Sequence, residues 1–144
     1  MILLDTTILV YALGSDHALR EPCRAVISAI GEGRLSATTT VEVIQEFAHV
    51  RARRRGRADA ASLALQYSTL LAPLVAVDAD DLADGLRLFR DEERLGAFDA
   101  VLVAAAARRE HLTAVLSADR AFAGIDGLTH IDPSDPDLRG RLGI

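Results

Sequence analysis

Four acidic residues stand at positions from which their carboxylates could act together on a substrate. Asp5 and Asp119 each follow a short apolar run, while Glu46 lies between apolar neighbours and Asp99 precedes an Ala-rich stretch. In open α/β sheets, sites form beyond the carboxyl ends of the strands. An unpaired carboxylate at the end of a buried strand is also costly, which makes Asp5 the hardest of the four to explain structurally. We therefore expect the four side chains to converge.

Each acid by itself has an ordinary explanation. Asp99 is a first-turn helix acid favoured by the helix dipole, Glu46 is a partner for an arginine one turn on, and Asp119 is a turn residue. Together, converging carboxylates repel and raise one another's pKa unless a cation lies among them. Oxygen ligands select the hard cations Mg²⁺ or Mn²⁺. Four acids can hold one or two ions, and two ions about 4 Å apart stabilise the attacking and leaving oxygens of a phosphodiester displacement.

Short apolar strands and helices of ten or more residues alternate along the chain and would position these acids. This alternation is typical of a parallel sheet covered on both faces by helices. It also fits a single domain over residues 1–144. The predicted strands are residues 1–4, 34–38, 74–77, 113–116 and 128–131, and the predicted helices are residues 6–13, 22–30, 40–55, 59–71, 78–89 and 98–109.

Composition excludes several classes of protein. Half of the 144 residues are apolar, which excludes a disordered chain. No apolar run approaches the roughly 18 residues of a membrane span, and the N-terminus lacks the features of a signal peptide. The single cysteine, Cys23, excludes an intramolecular disulfide. These features predict a cytoplasmic protein with no membrane partner.

The charge distribution gives a mixed indication of the partner. The formal net charge of −5 argues mildly against nucleic acid, yet all 16 basic residues are arginine. Five of them fall within seven positions and are candidates to steer RNA phosphates toward the acids. A solvated helix end, favoured by the helix dipole, explains the same cluster equally well. The cluster consists of Arg51, Arg53, Arg54, Arg55 and Arg57.

The acids lie in four motifs that, in this order, resemble those of the PIN-domain ribonucleases of the VapC type, which are toxins of type II toxin–antitoxin systems. The resemblance spans nearly the whole chain. Each motif is weak singly, whereas all four in order are specific. The motifs are Leu4-Asp5-Thr6-Thr7, Val43-Ile44-Gln45-Glu46-Phe47, Phe98-Asp99-Ala100 and Leu116-Ser117-Ala118-Asp119.

The resemblance implies a PIN-like three-layer α/β/α fold with a central parallel sheet of about four to five strands. It implies a homodimer that cleaves tRNA or rRNA with Mg²⁺ or Mn²⁺ and is neutralised by a cognate VapB-type antitoxin. The implied catalytic and metal-binding residues are Asp5, Glu46, Asp99 and Asp119.

Three further residues are assigned supporting roles. Thr7 and Ser117 are expected to orient the carboxylates by hydrogen bonds. Thr7 stands where Ser or Asn is commoner in the family, but it keeps a hydroxyl group. Glu42 lies one turn before Glu46 on the same helix face. It is therefore either a supporting acid or an alternative to Glu46 as the second site acid.

Other readings of the sequence are open to test. A phosphohydrolase of the haloacid-dehalogenase type needs a second Asp two residues after the first, and that position is Thr7. A receiver domain needs a downstream Lys, and the chain has none. A catalytically silent PIN module that only binds partners is the main alternative, and an interaction protein without a site is the residual one.

Overall fold

A four-stranded, all-parallel sheet forms the centre of the protein. The computed structural model describes residues 1–15 and 17–144. The strand order is β2-β1-β3-β4, so the first strand lies inside the sheet. This architecture agrees with the predicted parallel α/β fold and with its predicted number of strands. The strands are β1 (Ile2–Leu4), β2 (Ala37–Thr38), β3 (Ala114–Leu116) and β4 (His130–Ile131).

Helices flank this sheet in two groups. In the first group α3 packs against α4, and α1 packs against both α2 and α3; in the second α5 packs against α6. The helices are α1 (Thr6–Ala12), α2 (Arg20–Gly31), α3 (Val41–Arg55), α4 (Arg57–Leu70), α5 (Ala79–Asp91), α6 (Ala97–Ala107) and α7 (Leu138–Leu142).

Local sequence signals set several of these helix ends. Thr40 caps α3 through a bond from the Val43 amide, and Asp78 caps α5 in a full capping box. Gly56, with a φ of 87°, separates α3 from α4. Arg57 therefore starts the next helix instead of extending the basic end of α3.

The predicted strand at 74–77 is wrong. Only an isolated parallel bridge joins Val75 to Thr40 there. Pro73 has no amide hydrogen to donate, and the Ala76 carbonyl accepts a bond from the Arg109 guanidinium instead of from a strand. Helix α7 and a 3-10 turn at Arg120–Phe122 were not predicted.

The packing of α5 on α6 depends on a glycine. A Cβ at Gly85 would lie 2.5 Å from the Val101 Cα, so the two helices approach backbone to backbone at this point. Next to this contact, the fully buried Asp81 carboxylate accepts two bonds from the Arg109 guanidinium. That ion pair holds the pKa of Asp81 below its usual value and fixes the start of α5 to the end of α6. None of the described helices has the length and apolar character of a membrane span.

Candidate active site

The parallel sheet places Asp5 and Ser117 side by side at its carboxyl edge. Leu4 pairs with Leu116 in the β1–β3 register, so the next residue of each strand leaves the sheet at the same level. The Asp5 amide donates to the Leu116 carbonyl at 3.0 Å, which continues the ladder by one bond. Asp5 is only 4% exposed and Ser117 is fully buried. The carboxylate is therefore held where the sheet ends.

Asp5 is also the N-cap of α1, and its carboxylate is oriented from several directions. Oδ1 accepts the Thr6 amide at 2.7 Å. Oδ2 accepts the hydroxyls of Thr7 and Ser117, each at 2.7 Å. The structure thus places both predicted orienting hydroxyls on Asp5.

The loop after β3 connects Asp119 to the same hydrogen-bond network. The Asp119 amide donates to the Ser117 hydroxyl at 2.9 Å, and the Ala118 amide donates to the Thr7 hydroxyl at 3.0 Å. The Asp119 carboxylate caps the 3-10 turn by accepting the Ala121 amide at 2.8 Å. Asp119 is exposed.

Glu46 reaches the site through Thr6. The Thr6 hydroxyl donates to Glu46 Oε2, and Thr6 is buried at the start of α1. Glu46 itself is exposed, so this bond connects α3 with the first turn of α1. Glu42 makes no such bond, and its Oε2 is a buried oxygen without a hydrogen-bond partner in the described part of the chain. The geometry favours Glu46 as the second site acid.

Asp99 completes the group from the first turn of α6. Burial and the negative charges of Asp5, Asp119 and Glu46 raise its pKa from 3.8 to about 6. A bond from the Gly96 amide opposes this rise without cancelling it. The charges of the three other predicted acids thus all contribute to the raised pKa of Asp99. The assignment of the four acids to one catalytic site stays a prediction.

The donor set of this site suits a hard divalent cation. Its ligand atoms would be carboxylate oxygens. A cation among the acids would relieve the repulsion between their negative charges. Within residues 1–15 and 17–144, no three acidic, His or Cys side chains are close enough, as they stand, to hold an ion between them. An ion held by several of the four acids would therefore need their side chains to move from these positions.

The arginine cluster divides into two kinds of residue. Arg51 is half-buried and forms a bidentate pair with Asp59, with Nε 2.5 Å from Oδ2. This pair keeps the pKa of Asp59 below its usual value. Arg51 therefore fastens α3 to α4. The other four arginines, which are exposed, are Arg53, Arg54, Arg55 and Arg57.

Two residues of the site were not assigned by the sequence analysis. Thr6 follows directly after Asp5, but its contact with Glu46 depends on the packing of α1 on α3. His130 lies on β4, and its Nε2 is 2.9 Å from the Ser117 carbonyl oxygen, behind the site. Neither contact has a spacing signal in the sequence, since 40 residues separate Thr6 from Glu46 and 13 separate His130 from Ser117.

Comparison with known proteins identifies the class to which this fold and site belong. The sequence matches the PIN domain family over residues 2–128. It is 47% identical over 147 residues to Ribonuclease VapC7 of Mycobacterium tuberculosis H37Rv, covering 99% of both chains. It is 33% identical over 111 residues to Ribonuclease VapC23 of M. tuberculosis CDC 1551, covering 76% of this chain and 86% of the relative. The chain belongs to the PIN domain family, within its VapC ribonucleases.

Solved structures show the same fold at low sequence identity. The toxin–antitoxin complex from Klebsiella pneumoniae matches with a TM-score of 0.66 and 16% identity over 92% of this chain and 98% of that one. VapC20 of M. tuberculosis, described as a sarcin–ricin loop cleaving toxin, matches with a TM-score of 0.67 and 19% identity over 89% of this chain and 98% of that one.

Proposed function

We propose that this chain is the toxin of a toxin–antitoxin pair and acts as a divalent-metal-dependent endoribonuclease. The observation that carries the proposal is that burial, together with the charges of Asp5, Asp119 and Glu46, raises the pKa of Asp99 to about 6. The identity to a protein named as a ribonuclease, over 99% of the chain, supports the same activity. A catalytically silent PIN module would have no reason to retain this costly group of charges.

Mg²⁺ or Mn²⁺, as one or two ions, fits the residues present. Asp5 and Asp99 would be the principal ligands, and Asp119 and Glu46 would complete the site directly or through water. When bound there, a divalent ion would supply an activated water and would neutralise charge on the phosphate oxygens. The chain's own contribution is orientation. Thr7 and Ser117 fix the Asp5 carboxylate.

The contact from Thr6 serves Glu46 in the same way. Glu46 is exposed on α3, and a free glutamate side chain would lose rotamer entropy on binding a metal. The hydroxyl of the buried Thr6 restrains this side chain beforehand. The two threonines that follow Asp5 thus act on different acids, Thr6 on Glu46 and Thr7 on Asp5.

The proposed substrate is a structured RNA, either tRNA or rRNA. Four exposed arginines at the end of α3 and the start of α4 supply positive charge for its phosphates. Recognition of the RNA would then depend on its shape and on contacts to its backbone, because only six of the 144 residues of the protein are aromatic and could stack on bases. Both substrate classes and the antitoxin are found in the cytoplasm, where we place the protein.

A cognate antitoxin and a second copy of the chain are the proposed protein partners. The Klebsiella structure that shares this fold is itself a toxin–antitoxin complex. For the homodimer, an apolar face lies on α5 and α6, where Leu82 is 49%, Leu86 47% and Phe98 36% exposed. Exposed apolar patches of this kind mark protein–protein contacts.

The test is cleavage of total RNA by the purified protein with Mn²⁺, with Mg²⁺ and with EDTA. The wild type is expected to cut only with metal, and Asp5→Asn is expected to be inactive while its circular dichroism stays native. Asp126→Asn, an exposed acid of the loop before β4, is the matched control and should keep full activity. Full activity of Asp5→Asn, or none in the wild type with either metal, would reject the proposal.

A further inference from the structure

A pocket between α1 and α3 lies outside the acidic site and has no role in the chemistry described above. Its volume is about 300 Å³, at the lower end of the range of small-ligand sites. Apolar side chains from both helices line it, and arginines stand along one side. The residues that matter here are Val10 and Leu13 on one wall and Phe47, Val50, Arg54 and Arg55 on the other.

The pocket and the Thr6–Glu46 contact both lie where α1 packs on α3. Along α3, eight residues separate Glu46 from Arg54. At a helical rise of about 1.5 Å per residue, Arg54 lies about 12 Å along the helix from Glu46.

That length corresponds to a short stretch of nucleic acid. A stacked strand rises about 3.4 Å per nucleotide, so the pocket lies roughly three to four nucleotides from the acids. Single-stranded RNA is recognised by stacking unpaired bases on apolar surfaces and on guanidinium planes. The guanidinium fork also binds phosphate. The pocket offers apolar side chains at Val10, Leu13 and Val50, none of them fully buried, and two exposed guanidinium groups at its side.

We propose that the pocket between α1 and α3 seats an unpaired nucleotide of the RNA strand, away from the cleaved bond, with Arg54 and Arg55 holding its phosphate. This proposal rests on the proposed ribonuclease function. It divides the arginine cluster by task. Arg51 supports the wall through Asp59. Arg87 and Arg90, which are exposed on α5 and do not line the pocket, are matched controls with the same charge.

The test measures binding of a fluorescent single-stranded oligouridylate in EDTA, so that no cleavage occurs, across a salt series. Each phosphate contact adds about 0.7 to the slope of log affinity against log salt for single strands. Over the decade from ~1 M to ~0.1 M salt this amounts to about fivefold per arginine. The double variant Arg54→Gln/Arg55→Gln is expected to bind about 25-fold more weakly at ~0.1 M salt and to lose about 1.4 from the slope.

Two further variants distinguish RNA binding in the pocket from RNA binding to the basic surface in general. Arg87→Gln/Arg90→Gln removes the same charge and is expected to weaken binding less than about twofold, because these residues lie on α5, outside the pocket and outside the arginine cluster. Val50→Trp fills the pocket without changing charge and is expected to weaken binding with an unchanged salt slope. Circular dichroism and thermal melting check that each variant is folded.

Each outcome decides the proposal. Equal losses in the two arginine double variants, or no effect of Val50→Trp, would overturn it. If Arg54→Gln/Arg55→Gln bound RNA like the wild type but no longer bound an antitoxin, the pocket would belong to a protein partner and the proposal would also fail. Metal-dependent cleavage of total RNA by the wild type is scored separately. Pocket-dependent RNA binding without any cleavage would reject the proposed function and leave the nucleotide pocket standing.

Discussion

Replacing Asp99 by Asn should stabilise the metal-free protein while abolishing its response to metal. Asp99 is ionised at pH 7 at a cost, because burial and the charges of Asp5, Asp119 and Glu46 raise its pKa from 3.8 to about 6. Asparagine has nearly the same shape and can still accept the bond from the Gly96 amide. The substitution therefore removes the repulsion with little change in packing.

The size of the effect follows from this pKa. Each pKa unit corresponds to about 1.4 kcal/mol, so the full rise is worth at most about 3 kcal/mol. Solvent screens a partly exposed carboxyl group, which reduces the expected gain to about 1–2 kcal/mol. In a domain of this size, that gain raises the melting temperature in EDTA by about 3–6 °C.

The stability that Asp99→Asn gains over the wild type must also depend on pH in a defined direction. Because the folded-state pKa of Asp99 is raised, the native protein binds more protons than the unfolded chain between about pH 4 and pH 6. Its stability therefore falls as the pH rises through this window, and the cost is complete above about pH 6. Asp99→Asn should exceed the wild type at pH 7 and match it near pH 4.

Melting curves in EDTA and in millimolar Mn²⁺ test both halves of this reasoning. Mn²⁺ should raise the melting temperature of the wild type by mass action and leave that of Asp99→Asn unchanged. Asp126→Asn is the control and should follow the wild type in both buffers. An Asp99→Asn melting temperature at or below that of the wild type in EDTA at pH 7, or an advantage that persists unchanged at pH 4, would contradict the cost assigned to the Asp99 charge.

Two further substitutions test the positioning of the site and the packing behind it. Ser117→Ala should lower Mn²⁺ affinity in calorimetry by about 10–100-fold, because Asp5 loses an orienting hydroxyl. The control Ser28→Ala removes an exposed 2.7 Å bond to the Glu32 carboxylate and should leave the Mn²⁺ affinity unchanged. Equal affinities in the two variants would contradict this role for Ser117. Gly85→Ala should destabilise the fold in urea unfolding by about 1–3 kcal/mol or more, since its Cβ would overlap Val101, whereas an unchanged midpoint would show that α5 can shift without cost.

The sequence was informative where a functional residue is tied to a strand or helix end. Asp5 and Asp119 could be located because the carboxyl ends of parallel strands meet at one edge, and the register of β1 with β3 confirms this placement. Ser117 could be assigned to Asp5 for the same reason. The fold class followed from the alternation of strands and helices, which depends only on local patterns.

Contacts set by tertiary packing could not be derived in this way. The bond from Thr6 to Glu46 depends on how α1 lies on α3, and it is what distinguishes Glu46 from Glu42. The apolar run at 74–77 has strand composition, but only Val75 joins a bridge. Likewise, Arg51 has the same residue type as its neighbours, and only the position of α4 pairs it with Asp59.

The chemistry of the RNA ends is the most direct test of a metal-dependent hydrolase at this site. A divalent ion held by these acids would favour hydrolysis by water, whose products would carry a 5′-phosphate and a 3′-hydroxyl. RNA ends sequenced after brief induction in cells should carry these groups at discrete positions, and the Asp5→Asn strain should lack them. Ends carrying a 2′,3′-cyclic phosphate and a 5′-hydroxyl, or the same cuts in the Asp5→Asn strain, would contradict the assignment of the four acids to catalysis.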